Sequence, residues 1–127
     1  MKPEEIKRAI HRYIEAYNNF DLEAMLDLLA PDVRFENFAG GEVNARTSGK
    51  SEFEALARQS AELFATRKQT VKSLEIESDT ARVEIEFEAV LARDLPGGLK
   101  AGEKLCLNGA SEFVFTHGLM SSIVDRS

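Results

Sequence analysis

The first stretch of the chain has the spacing of apolar residues that is typical of an amphipathic helix. Apolar and aromatic residues recur every three or four positions, and most charged residues lie elsewhere. Asn18 and Asn19 end this periodicity, so the helix is predicted to stop there. Pro3 fits the first turn, where a missing N–H costs little. The apolar face consists of Ile6, Ile10, Tyr13, Ile14 and Tyr17.

Two more helices are predicted in the first half of the chain. The Asp21 carboxylate can accept free backbone N–H groups at the start of the second helix, and Pro31 disfavours helical backbone at the residue before it. Residues 50–65 have the spacing of a third helix, whose start is left open within residues 48–51. The buried faces would hold Leu22, Met25, Leu26 and Leu29 in the second helix, and Phe53, Leu56, Ala57, Ser60 and Phe64 in the third.

The remaining segments show the two-residue alternation of half-buried strands. Residues 33–38 form the first strand, with Asn37 in phase with its apolar positions, and residues 42–46 form a short partner strand. Gly109 interrupts a later strand and predicts a bulge or bend. These later strands are predicted at residues 70–77, 80–92, 103–116 and 119–124, with a loop at 93–102.

The order of these elements predicts the fold class. Helix, helix, strand, strand and helix are followed by four antiparallel strands, which indicates an α+β fold with one layer of helices on a curved sheet. A chain of 127 residues has the length of one domain with one continuous core. It contains no internal repeat, linker or low-complexity tract, so residues 1–127 are expected to form a single domain.

Charge and cysteine usage exclude several classes of partner. The net charge of -6 argues against binding to nucleic acid and to anionic membrane surfaces, which select basic proteins. No apolar run approaches the roughly 18 residues of a membrane span, and the N-terminus lacks a signal-peptide core. Cys106 is the only cysteine, which excludes an internal disulfide and is compatible with a reducing compartment. A cytoplasmic location is expected.

Three segments carry a resemblance to a known family. They are Arg12–Tyr13, the run from Asn19 to Val33, and Arg46–Lys50 before the third helix. These segments and the order of the elements resemble the nuclear transport factor 2-like superfamily, in particular its SnoaL-like and ketosteroid-isomerase-like branch. The resemblance implies a cystatin-like cone, in which three helices of the N-terminal half pack on a strongly curved, mainly antiparallel sheet and enclose a deep apolar pocket.

The catalytic residues of that branch match this sequence only in part. Ketosteroid isomerases use a tyrosine on the first helix, an aspartate base on the first strand and a protonated aspartic acid on a late strand. These positions fall on Tyr13, Asn37 and Ser111. An amide has no accessible basic site, so Asn37 is a weak catalytic candidate that can only form hydrogen bonds. A register shifted by one residue would instead turn Glu36 inward.

The resemblance implies a pocket for a small hydrophobic or carbonyl-bearing ligand. Tyr13 would donate a hydrogen bond to the ligand, or alternatively would be a core tyrosine bonded to a backbone carbonyl. Asp94 or Glu103 could supply a carboxylate at the mouth. The expected lining residues are Tyr13, Tyr17, Phe35, Asn37, Phe53, Leu56, Phe87, Ser111 and Phe113.

No cofactor or metal is expected, because His11 and His117 are isolated from other metal-ligating residues. The row of Glu84, Glu86 and Glu88 is expected on the outer face of the sheet, near Cys106. This face would be solvated or would form a homodimer, and the resemblance favours the homodimer. Three functions stay open: an isomerase-like or cyclase-like enzyme without the usual aspartate base, a non-catalytic ligand-binding protein, and a dimerisation module.

Overall fold

A computed structural model describes all residues from 1 to 127. Three helices, all within the N-terminal half, pack on one curved sheet of six strands. This arrangement confirms the predicted α+β class. The elements are α1 (Pro3–Asn18), α2 (Leu22–Leu26), β1 (Leu29–Ala39), β2 (Glu42–Ser48), α3 (Lys50–Ala61), β3 (Phe64–Glu77), β4 (Thr80–Leu91), β5 (Lys104–Thr116) and β6 (Leu119–Arg126).

The strands follow the order β2-β1-β6-β5-β4-β3 across the sheet. All neighbours are antiparallel except β1 and β6, which run parallel. This pairing brings the first strand and the last strand together in the middle of the sheet. Residues near the end of the chain therefore lie beside residues of β1, at a sequence distance of almost ninety positions.

The predicted face of α1 is buried against the concave face of the sheet. Ile6 and Ile10 are fully buried, and Ile14 is nearly so. They join a continuous core that includes Phe113 and Ile123 from the sheet. Burying one such aliphatic side chain contributes about 1.5–3 kcal/mol relative to leaving it exposed, so this face holds α1 in place across the sheet.

The second helix is shorter than the sequence predicted. The Asp21 carboxylate accepts a hydrogen bond from the Ala24 backbone N–H at 3.1 Å, which confirms the predicted N-cap. However, α2 ends at Leu26, and Leu29 belongs to β1, where it pairs with Met120 of β6. The helical assignment of Leu29 was wrong because its burial comes from strand pairing rather than from a helical face.

The third helix begins within the predicted range but ends earlier than predicted. It begins after Gly49, which has a φ of 89° and is the N-cap, while the Glu52 carboxylate accepts the Ser48 backbone N–H at 2.9 Å. The helix stops at Ala61, and Phe64 opens β3 instead of extending the helical face. The first six residues of β3 therefore lie outside the strand predicted from residue 70.

Gly109 is required by a close backbone contact rather than by a bulge. The pairing of β4 and β5 has no register shift at this residue, whereas β5 and β6 shift register between Val114 and Phe115. A Cβ atom at position 109 would lie 2.6 Å from the carbonyl oxygen of Arg126. The backbone of β6 therefore passes too close for any side chain larger than hydrogen.

Replacing Gly109 with alanine is expected to lower the free energy of unfolding by about 1–3 kcal/mol, because the end of β6 must move away from the added methyl group. Chemical denaturation followed by circular dichroism measures this change. Cys106→Ala is the matched control, since Cys106 lies on the same strand and is exposed. Equal stability of Gly109→Ala and the control would contradict the proposed contact.

The outer face of the sheet carries charged residues in cross-strand pairs. Lys72 Nζ lies 3.4 Å from the Glu86 carboxylate, and Arg82 Nε lies 3.0 Å from the Glu112 carboxylate. Cys106 is exposed, as predicted from its phase. The homodimer through this face stays a prediction. None of the three helices is both long and apolar enough to cross a membrane.

Candidate functional site

A cavity of about 590 Å³ lies between the helices and the concave face of the sheet. Cavities of about 300–1,000 Å³ with mostly apolar walls and a few polar groups are typical of small-molecule sites. Every helix and every strand contributes to its wall. All nine residues expected at a pocket line it: Tyr13, Tyr17, Phe35, Asn37, Phe53, Leu56, Phe87, Ser111 and Phe113. Ligand binding at these residues stays a prediction.

Three polar residues form one row across the floor of the cavity. Asp125 of β6 pairs with Asn37 of β1 on one side and with Ser111 of β5 on the other. The Ser111 hydroxyl donates a hydrogen bond of 2.6 Å to Oδ1 of Asp125. The sheet thus places a carboxyl group between the two positions where the sequence had suggested only an amide and a hydroxyl.

The surroundings of Asp125 shift its acidity towards neutrality. Burial raises the pKa of Asp125 from 3.8 to about 6, because the charged form loses solvation. The hydrogen bond from Ser111 acts in the opposite direction, since it stabilises the carboxylate. A carboxyl group with this pKa is mostly ionised at neutral pH and can both accept and return a proton there, which suits general acid–base chemistry.

The Tyr13 side chain is 7% exposed and lies in the wall of the same cavity. Its ring packs edge-to-face on Phe113, with centroids 5.6 Å apart. Burial, and then the charge of Asp125, raise the pKa of Tyr13 well above its ordinary value, so the hydroxyl stays protonated. No hydrogen bond within the protein uses this hydroxyl, and no backbone carbonyl accepts it. Tyr13 is therefore a free donor that lies close enough to the Asp125 carboxyl group for that charge to raise its pKa.

The register of β1 turns Asn37 towards the cavity and Glu36 away from it. The Asn37 amide donates a hydrogen bond of 2.6 Å to Oδ1 of Asn44. Glu36 accepts two hydrogen bonds from Arg46, at 2.6 and 2.8 Å, and does not line the cavity. The shifted register with Glu36 inward is therefore wrong, and β1 supplies no carboxylate to the site.

A second charged residue of the cavity, Arg67, lies near the start of β3. Its Nε donates a hydrogen bond of 2.8 Å to the backbone carbonyl of Tyr17 in the last turn of α1. The guanidinium carbon lies 3.7 Å from the centroid of the Tyr17 ring and 4.3 Å from that of Phe20. Burial lowers the pKa of Arg67, but a guanidinium keeps its charge in proteins.

The sequence prediction missed Asp125 and Arg67, and it also missed the exposed Arg126, which lines the cavity beside Asp125. Asp125 lay beyond the predicted end of the last strand at Val124, although Ile123 and Asp125 have the spacing of one strand face. Continuing that alternation by one more step is the signal that would have found it. Arg67 lay between the predicted third helix and the next strand. The carboxylates suggested instead, Asp94 and Glu103, do not line the cavity.

Asp94 has a structural role in the loop between β4 and β5. Its carboxylate accepts a hydrogen bond of 2.8 Å from the Ala101 backbone N–H. Lys100 Nζ approaches the same carboxylate at 3.9 Å. These contacts close the loop outside the cavity, so this carboxylate is a useful negative control for the one in β6.

The profile of the SnoaL-like domain matches residues 10–123. Similar solved structures include a candidate polyketide cyclase from Xanthomonas campestris pv. campestris, with a TM-score of 0.85, 20% identity, and coverage of 98% of this chain and 90% of that one. A candidate SnoaL-like polyketide cyclase from Jannaschia sp. CCS1 has a TM-score of 0.82, 13% identity, and coverage of 98% and 88%.

AclR, a candidate hydroxylase from Streptomyces galilaeus, has a TM-score of 0.79, 18% identity, and coverage of 98% of this chain and 89% of that one. No curated protein matches this sequence. At these identities, the structural likeness shows the fold alone. The descriptions of the three proteins include both cyclases and a hydroxylase, so the chemistry has to be argued from the residues of this cavity.

Proposed function

Since the chain belongs to the SnoaL-like domain family, we propose that it is an acid–base enzyme acting on a small, largely hydrophobic carbonyl compound. The observation that carries this proposal is the pairing of Asp125 and Tyr13 in one cavity. Asp125 has a pKa of about 6, and the Tyr13 hydroxyl has no partner within the protein. The Asp125 carboxylate can take a proton from the substrate, while the Tyr13 hydroxyl stabilises the negative charge that develops on the carbonyl oxygen.

The proposed reaction begins with proton removal. The Asp125 carboxylate takes a proton from the carbon next to a substrate carbonyl, and the electron pair moves onto the carbonyl oxygen. The Tyr13 hydroxyl donates a hydrogen bond to that oxygen, where negative charge accumulates. Ser111 holds the carboxyl group in place through its 2.6 Å hydrogen bond.

Two outcomes complete the proton balance. In an isomerisation, Asp125 returns its proton to another carbon of the enolate. In a ring closure, the enolate carbon attacks a second carbonyl of the same molecule, and the new alkoxide takes the proton from Asp125. Two of the similar structures are described as candidate polyketide cyclases, which supports a carbonyl-bearing substrate for this chain. Neither outcome requires a metal or a cofactor.

The alternative is a non-catalytic ligand-binding protein of the same fold. The identity of Asn37 favours this alternative. Ketosteroid isomerases carry their aspartate base at this position, and an asparagine amide cannot act as a base. Both functions use the same cavity and the same apolar walls. They differ in whether Asp125 moves a proton, so a proton-exchange measurement separates them.

The wild-type protein is expected to catalyse hydrogen–deuterium exchange at the α-carbons of 2-tetralone, a two-ring ketone that serves as a probe. The base must be ionised, so kcat/KM should rise with pH through the pKa of Asp125, with a midpoint at about 6, and then level off. Proton NMR in deuterated buffer measures the loss of the α-proton signal.

Asp94→Asn is the control for this measurement, because Asp94 is a carboxylate outside the cavity. It should exchange the probe at the wild-type rate with the same pH profile. Exchange no faster than in an equal concentration of acetate would leave the binding protein as the better function. A rate that decreases as pH rises through 6 would show that a protonated group, rather than the carboxylate, is required.

A further inference from the structure

The charge on Arg67 has no counter-charge within the protein. Arg67 is 8% exposed and is the only lysine or arginine among the buried residues. It takes part in none of the salt bridges of the protein. Buried charges in proteins are normally paired, because taking an unpaired charge out of water is costly. An anionic ligand in the cavity would neutralise the charge of Arg67.

Most of the hydrogen-bonding capacity of Arg67 is unused. A guanidinium has five N–H donors. The one on Nε donates to the Tyr17 carbonyl, and the Tyr17 hydroxyl also interacts with the group. The one polar side-chain atom that is sealed from solvent without a partner is Oγ1 of Thr47. The free Arg67 nitrogens are therefore not sealed in the core, and the side chain lines the cavity.

Two aromatic rings hold the guanidinium plane. Tyr17 covers it from the cavity wall at 3.7 Å, and Phe20 approaches it at 4.3 Å. The planar fork of N–H groups on a guanidinium matches the two oxygens of a carboxylate. Nε, the two rings and the Tyr17 hydroxyl position the group, and the remaining N–H groups of the terminal nitrogens are available to a ligand.

Asp125 does not serve as the counter-ion. Its pKa is raised by burial and lowered only by the Ser111 hydrogen bond, with no contribution from Arg67. The sheet register separates the two groups. Arg67 pairs with Ala89 of β4, whereas the row of Asp125 reaches Val83 of the same strand. Six residues along a strand correspond to a backbone separation of about 20 Å. The two side chains approach each other more closely than this, since both charges act on the pKa of Tyr13 and of Tyr17. The cavity has an acid–base end and a cationic end.

We propose that Arg67 recognises a carboxylate on the ligand. The ligand would be a flat, mostly apolar ring compound that binds its carboxylate to the terminal nitrogens of Arg67 and presents a carbonyl group to Tyr13 and Asp125. This inference rests on the proposed function for the reacting end and specifies the substrate class as hydrophobic carboxylic acids. It also gives an acidic protein of net charge -6 a cationic point inside its binding site.

The hydrogen bond to Tyr17 also gives Arg67 a structural role. It adds a second donor to the Tyr17 carbonyl, which also accepts the Phe20 backbone N–H at 3.2 Å, at the C-terminal end of α1, where a cation is favourable. It also ties this helix to β3. That structural role involves Nε and does not account for the hydrogen-bonding capacity of the two terminal nitrogens. A test must therefore report on ligand charge and not only on stability.

The probes are 2-naphthoate and 2-naphthamide, which have the same shape and differ in charge. Isothermal titration calorimetry is expected to show about tenfold tighter binding of the anion, since hydrogen bonds to ionised groups are roughly twice as strong as neutral ones. Arg67→Met should lose this preference. Lys68→Met is the matched control, because Lys68 is the exposed neighbour on the same strand and the change in net charge is identical.

NMR of the wild-type protein gives a second measurement that does not depend on how well a variant folds. The Nε–H resonance of Arg67 should shift on addition of 2-naphthoate and should respond less to 2-naphthamide. Equal affinity for the two probes, retention of the preference in Arg67→Met, or no binding of 2-naphthoate at millimolar concentration would overturn the proposal. Asp125→Asn separates the two hypotheses, because it should abolish proton exchange while keeping the preference for the anion.

Discussion

Replacing Asp125 with asparagine is expected to reduce kcat/KM for exchange of 2-tetralone by about 10²–10⁴-fold, the usual contribution of a positioned general base. Asparagine keeps the shape of the side chain, and its amide oxygen can still accept the hydrogen bond from Ser111. It has no basic site at neutral pH, however, so it cannot remove the α-proton. The rates are compared by NMR above the pKa of Asp125, where the wild-type carboxylate is ionised.

The same variant should be more stable than the wild type at neutral pH, and this distinguishes a lost base from a damaged fold. The pKa of Asp125 in the folded protein, about 6, is higher than its ordinary value of 3.8. The folded state therefore binds more protons than the unfolded state between these values, and the wild type loses stability relative to Asp125→Asn as pH rises through 6. Thermal unfolding at acidic and neutral pH measures the difference.

Either half of this prediction can fail by itself. Wild-type exchange rates in Asp125→Asn would show that another group is the base. A stability difference that is independent of pH would show that the carboxyl group is not enclosed as strongly as its position suggests. Asp94→Asn serves as the reference in both measurements, because its carboxylate lies in a loop outside the cavity.

Tyr13→Phe is expected to lower kcat for the same exchange by about 10²–10³-fold, the range seen when one donor to a developing oxyanion is removed. The phenyl ring keeps its edge-to-face contact with Phe113, so KM should change little. Thermal stability should not fall, because the deleted hydroxyl has no hydrogen bond within the protein. Steady-state kinetics and thermal unfolding of one purified variant measure all three quantities.

Tyr17→Phe provides the matched comparison on the next turn of α1. Phenylalanine retains the ring that lies on Arg67 and loses only the interaction of the hydroxyl with that guanidinium. Its exchange rate should therefore stay much closer to that of the wild type. Similar losses of kcat in Tyr13→Phe and Tyr17→Phe would contradict the assignment of Tyr13 as the donor, and a lower melting temperature of Tyr13→Phe would point to a structural hydroxyl.

The two largest predicted losses of activity concern Asp125 and Tyr13, and only Tyr13 could be identified as a site residue from the sequence. Tyr13 lies on an apolar helical face and matches a family position, so it was recognised as a site candidate before its surroundings were known. Asp125 matches no such position and lay one residue beyond the predicted end of its strand. The family comparison directed attention to Asn37 and Ser111, the two residues that flank Asp125 in the folded sheet.

Ends of elements account for most differences between prediction and structure. Periodicity identified the faces of α1 and β4 correctly because each repeats over several turns or pairs of residues. At an end, only one or two residues carry the pattern, and long-range pairing decides the outcome. Leu29 and Phe64 continue a helical spacing, yet pairing with distant strands draws both into the sheet.

The sequence by itself determined the order of the elements, most of the faces that they bury, the α+β class and the apolar lining residues, because these follow from local periodicity and from family resemblance. Only the tertiary structure decided where charge lies in the cavity. Parallel pairing of β1 with β6 places Asp125 beside Asn37, and packing of α1 on β3 encloses Arg67. Such contacts and the resulting pKa depend on neighbours some fifty to ninety residues away, which no local pattern records.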